Sequence, residues 1–124
     1  MDEVRERGAR MRAQLNLPIR TEVPAGIRQD YQGFIDRYVF GETWCREEID
    51  LRTRSIATVS MLIAQGRSEQ LAHHVKTALG NGVTRDELRG IIWHGAVYCG
   101  VPAASAAFSV ATEVFDTIDS HIDE

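Results

Sequence analysis

Three of the chain's four histidines and one of its two cysteines fall within HHVKTALGNGVTRDELRGIIWHGAVYCGVP, residues 73–102, where acidic and basic groups are interleaved with apolar ones. On a helix, positions three, four and seven apart share a face. Arg67, Gln70 and His74 therefore form one stripe, and Glu87, Ile91, His94 and Tyr98 another. Two such stripes facing one pocket would supply acid–base chemistry for an anionic substrate. A neutral imidazole donates and accepts, its reference pKa of about 6.5 suits proton transfer near neutrality, and arginine grips a carboxylate with a planar fork. The same residues fit a plainer arrangement. A histidine among apolar neighbours is commonly a hydrogen-bonded core or interface residue, and Glu87 completes a capping box with Thr84. Residue types and spacing leave both readings open.

The remaining polar and aromatic residues divide in the same way. Trp44 and Tyr98 serve as packing aromatics or as pocket walls. Arg52 and Arg54, in LRTR, project about 200° apart on a helix, so one of them is expected in a surface or interface ion pair. His73 projects about 100° from His74 and is expected to face solvent, and His121 falls where a chain end frays. No three or four ligands have the spacing of a zinc site, so no metal is expected. Cys45 and Cys99 match no zinc or CxxC spacing and are expected to be reduced.

The elements that must position these residues read as helices, with no alternating strand pattern. A chain of 124 residues fits one compact domain, 1–124, with a helical N-terminal arm over 1–23. With 14 Lys+Arg against 18 Asp+Glu, no global positive field would gather nucleic acid or an anionic membrane surface. No window approaches the roughly 18 apolar residues of a membrane span, and MDEVRERGARMR lacks the apolar stretch of a secretory signal, so a cytoplasmic location is expected.

A first amphipathic helix is expected over about residues 3–15. A second opens with Pro24 in its first turn, carries Tyr31, Phe34, Ile35 and Tyr38, and ends at Phe40-Gly41, followed by the connector GETWCREEID. Asp50 is placed to cap a third helix, LRTRSIATVSMLIAQ, which Gly66 stops. Beyond Arg54 that helix is apolar almost all round, a pattern that calls for burial on several sides and, in a short chain, for a second subunit. Ser68 caps a fourth helix, SEQLAHHVKTAL, which ends where Gly80 or Gly82 adopts a left-handed conformation. Thr84-Arg85-Asp86-Glu87 has the capping-box form and starts a fifth helix that runs to about Cys99. Gly100 and Pro102 close it, and an Ala-rich last helix spans about Ala103–Ile118.

The run FGETWCREEIDLRTRSIATVSMLIAQGRSEQLAHHVKTALGNGVTRDELRGIIWHGAVYCGVPAASAAF resembles the carboxymuconolactone decarboxylase family. The family shows FGE-x-W, then L-R-T-R, a histidine before ALxNG, VTxxE, and H-x-A-V-Y-x-G-x-P-A-A. The likeness covers about residues 39–115. It implies an all-α fold of about six helices, shared with the hydroperoxidase branch, and ring-like homo-oligomers, often hexamers built from three dimers. It also implies the decarboxylase branch, because Arg67 and Gln70 stand where the hydroperoxidase branch has its CxxC pair.

The implied reaction is cofactor-free loss of CO₂ from 4-carboxymuconolactone, a small anionic lactone of the protocatechuate branch of aromatic breakdown, giving the 3-oxoadipate enol-lactone. Carried over by motif, the catalytic group is His74 as proton donor, Glu42 as its partner or as the acid itself, and Arg52 on a substrate carboxylate. Trp44, Arg54, His94 and Tyr98 then contact substrate, with His94 and Tyr98 at the lactone oxygen. Ser55 and Cys45 depart from the family pattern and bear on substrate identity. Two other functions fit the same residues: decarboxylation or isomerisation of a different lactone or keto acid, and a non-catalytic helical oligomer that binds a small molecule.

Overall fold

Helix is the only regular structure among residues 2–122, the part of the chain that the computed structural model describes. In order come α1 (Glu3–Gln14), α2 (Ala25–Ile35), a π-helix (Asp36–Trp44), α3 (Leu51–Gln65), α4 (Ser68–Gly80), α5 (Arg85–Tyr98) and α6 (Val101–Ile122). They divide into two compact units, one ending at Leu51 and one starting at Arg52.

In the first unit, Asp2 caps α1 by accepting from the backbone N–H groups of Val4 and Arg5, both at 3.1 Å. The helix packs on the π-helix through glycines: a Cβ on Gly8 would lie 1.5 Å from the Asp36 carbonyl oxygen, and one on Gly41 would lie 2.2 Å from that of Val4. Gly41 is therefore a packing residue. The second helical stretch does not end at Phe40-Gly41 as expected but widens and runs on through Trp44, taking in the first residues of the expected connector. The reason is tertiary: Gly41 has no left-handed φ to break the helix, and its missing side chain admits α1. Pro24 sits at the N-cap of α2, just outside the first turn expected for it. Leu15, Leu17, Phe40 and Trp44 form the apolar core of this unit. Beside it the buried carboxylate of Asp36 accepts from Arg12 Nε and from Gln32 Nε2, each at 2.9 Å.

The second unit is built on Val59 and Ile63 of α3, Leu71, Val75 and Ala78 of α4, Leu88 and Ile92 of α5, and one face of α6. That face presents Ala104, Ala107 and Ala111, whose small side chains let neighbouring helices approach closely. Leu88 and Ile92 are wholly buried, each contributing about 1.5–3 kcal/mol by leaving water. Asp50 immediately precedes α3, and Gly66 (φ +68°) follows its last turn, as the sequence indicates.

Two local expectations are corrected in this unit. Ser68 is the first residue of α4 rather than its cap: Arg67 holds the cap position and makes no capping bond. Of the two glycines expected to follow α4 in a left-handed conformation, Gly82 (φ +92°) is the one that adopts it. Helix α6 starts before Ala103 and ends beyond Ile118. Pro102 lies in its first turn, where a missing N–H costs nothing, and His121 lies in its last turn. The capping box at α5 is complete, with Glu87 N–H to Thr84 Oγ1 and Thr84 N–H to Glu87 Oε1 both at 3.0 Å.

Candidate functional site

The first turn of α3 carries Arg52 but no acidic residue, and Arg54 follows in LRTR, although a helix N-terminus favours anions over cations. The stem of Arg52 lies over Gly82, its Nε donates to the Gly82 carbonyl at 3.4 Å, and its Nη2 pairs with Glu87 Oε2. Glu87 thus has two duties. One oxygen completes the capping box, and the other engages Arg52. The Arg52 hydrogen bond, and after it the Thr84 backbone N–H, hold the Glu87 carboxyl below the usual range.

Of the two arginines of LRTR, Arg52 is the one found in an ion pair, with one prong of its fork on the Glu87 carboxylate and the other on the Gly82 carbonyl. Arg54 is half-buried, with its Nε shielded from solvent. One position further on, wholly buried Ser55 accepts from Asn81 Nδ2 at 2.9 Å, which ties α3 to the 80–83 loop on which Arg52 rests.

His74 lies on α4 between the buried residues Leu71, Val75 and Ala78, half-buried itself, with Nδ1 closed off from solvent. Its stripe partners differ: Gln70 is half-buried and Arg67 is exposed. His73 is half-buried rather than solvent-facing. On α5, His94 and Tyr98 are both exposed, with ring centroids 4.8 Å apart and planes inclined by 39°. His94 is therefore no core histidine of the single chain.

Glu42 and Trp44 belong to the first unit, on the π-helix. Trp44 is buried with Phe40, Leu15 and Leu17. Glu42 is exposed, 4.0 Å from Arg37 Nη2, and lines a groove of about 560 Å³ with Arg7, Gly41, Cys45, Arg46 and Glu47. Both cysteines are free thiols. Sequence reasoning overlooked Arg37, which pairs with both Asp2 and Glu42, and Asn81, whose side chain is lost inside the turn signal GNG. Among the described residues no helix is long and apolar enough to cross a membrane.

The sequence model of the carboxymuconolactone decarboxylase family matches residues 29–113, and the chain belongs to that family. It is 45% identical over 89 residues to 4-carboxymuconolactone decarboxylase of Acinetobacter baylyi, a match covering 72% of this chain and 66% of the relative. It is 34% identical over 93 residues to nitrosuccinic acid decarboxylase of Metarhizium robertsii, covering 75% and 63%. An uncharacterized 15.0 kDa protein of Paracoccus denitrificans is 33% identical over 78 residues, covering 61% and 58%. The matches thus span between 58% and 66% of the length of these relatives.

Proposed function

We propose that the chain is a cofactor-free decarboxylase of 4-carboxymuconolactone or a close analogue, acting as a single domain within a homo-oligomer, a hexamer of three dimers. The observation that carries this reading is the 45% identity to a relative of that name. The grip of Arg52 on a carboxylate at the N-terminus of α3 adds chemical support.

In the proposed reaction the bond between the γ-carbon of the lactone and its carboxylate breaks. Its electron pair moves through the ring double bond into the lactone carbonyl, CO₂ leaves, and a dienolate remains. A proton is then delivered to carbon. The substrate carries its own electron sink, so the protein needs only to hold carboxylates, stabilise the developing oxyanion and supply that proton. Arg52 takes a carboxylate, His94 and Tyr98 the lactone oxygen, and His74 the proton, with Glu42 as the second candidate acid. Arg54 and Trp44 complete the substrate contacts.

A second reading rests on the match to a nitrosuccinic acid decarboxylase: the same groups would serve an acyclic acid whose electron sink is a nitro or keto group beside the departing carboxylate. Measuring CO₂ release from fresh 4-carboxymuconolactone and from nitrosuccinate separates the two. Turnover of the lactone alone supports the first reading, turnover of nitrosuccinate alone replaces it with the second, and no turnover of either leaves action on a different lactone or keto acid, or small-molecule binding without catalysis.

A further inference from the structure

Arg52 already holds a carboxylate, and that carboxylate belongs to the chain. Nε is fixed to the Gly82 carbonyl, a backbone partner that does not leave, whereas Nη2 is paired with Glu87, a side chain about 40% exposed to solvent. Glu87 can release Arg52 without unfolding α5, because its contribution to the capping box runs through its other oxygen, Oε1. We propose that Glu87 is an internal competitor for the carboxylate site at Arg52: it occupies the guanidinium in the empty protein, is displaced by a substrate carboxylate, and so sets the affinity of the site for anions. The inference rests on the reading of Arg52 as the carboxylate holder.

Charge and geometry both favour exchange over a fixed buttress. A buttress gains from burial, which strengthens an ion pair, and this pair is solvated on both sides. An exposed pair is weak enough for one incoming carboxylate to replace it, and a weak internal competitor still excludes monoanions that bind no more tightly than Glu87 does.

Glu87→Gln is the informative substitution, because glutamine fills the same place in a capping box while removing the charge. Binding of succinate, an inert dicarboxylate, is measured by calorimetry for the full chain and for Glu87→Gln, Arg52→Gln and the double variant, with circular dichroism as a check on helix content. The expected result is a roughly two- to fivefold tighter Kd in Glu87→Gln, and no effect of the same change when Arg52 is already Gln. KM for the substrate should fall in the same proportion. Unchanged, weaker or undetectable succinate binding by a folded Glu87→Gln protein overturns the inference, and so does an equal gain in the Arg52→Gln background. Failure of the functional reading looks different: the succinate coupling persists while neither 4-carboxymuconolactone nor nitrosuccinate is turned over.

Discussion

Asn81 donates to the wholly buried hydroxyl of Ser55 at 2.9 Å, and this bond joins the helix that carries Arg52 to the loop that supports it, beside the bond of Arg52 itself to the Gly82 carbonyl. Ser55→Ala leaves the Asn81 amide short of an acceptor, at a cost of about 1–2 kcal/mol. It should also raise KM more than it lowers kcat, because Arg52 is held less firmly. Urea denaturation and steady-state kinetics on one preparation check both, and a double cycle with Asn81→Ala should return a coupling of about 1 kcal/mol.

Gly8 and Gly26 make opposite predictions for the same substitution. A methyl group on Gly8 would meet the backbone of the π-helix, which cannot swing aside as a side chain would, so Gly8→Ala should cost about 3 kcal/mol or more. Gly26, in the first turn of α2, has nothing within 4 Å of its would-be Cβ, and alanine there should stabilise by about 0.5–1 kcal/mol. Equal melting temperatures for the two variants would remove the close crossing of α1 and the π-helix.

The contrast shows which features were legible. The capping box of α5 could be read in advance because both of its bonds connect residues three apart in sequence. The role of Gly41 could not, since a glycine that ends a helix and a glycine that admits another helix look alike until the partner, here Val4, is placed. The partner of Arg52 is likewise 35 residues away, and the helix periodicity that assigned Glu87 to its cap carries no trace of it. Sequence reached the family through its motifs, whereas the internal ion pair at the candidate carboxylate site appeared only in three dimensions.

Acid should weaken the second unit through Asp119. The Arg85 hydrogen bond holds the Asp119 carboxyl below its usual value. A carboxyl lowered by folding contributes stability that is complete above its unfolded pKa and is lost as pH falls through its folded one. The loss therefore begins as pH falls towards the ordinary aspartate value of about 3.9 and continues below it. Asp119→Asn should be less stable than the parent at neutral pH and should lose less on acidification. Parallel stability curves for the two proteins across that range would show that the pair contributes nothing.

Assembly is testable on the exposed apolar surface of the second unit. Trp93 is 72% exposed and Val97, one turn on, 75%, with Met61 of α3 at 64%. In a homo-oligomer such side chains are covered. Light scattering at micromolar concentration should give a multiple of 13.9 kDa, and Trp93→Glu should reduce it. A monomer from the parent protein would discard the proposed hexamer.

His74 decides between a site and a structural histidine. It is half-buried among Leu71, Val75 and Ala78, with Nδ1 closed off from solvent, a setting that suits either duty. If His74 is the proton donor, His74→Gln keeps a hydrogen-bonding side chain of similar reach and loses only the acid–base group. The expected result is a kcat reduced roughly 10²–10⁴-fold with little change in melting temperature. Arg52→Lys should act mainly on KM, because a point charge replaces the fork. A structural His74 gives the inverse pattern: stability falls by about 1–3 kcal/mol and the folded fraction turns over normally. Measuring kcat and thermal melting on the same sample separates the two, and a stable, fully active His74→Gln protein transfers the role of proton donor to Glu42 or His94.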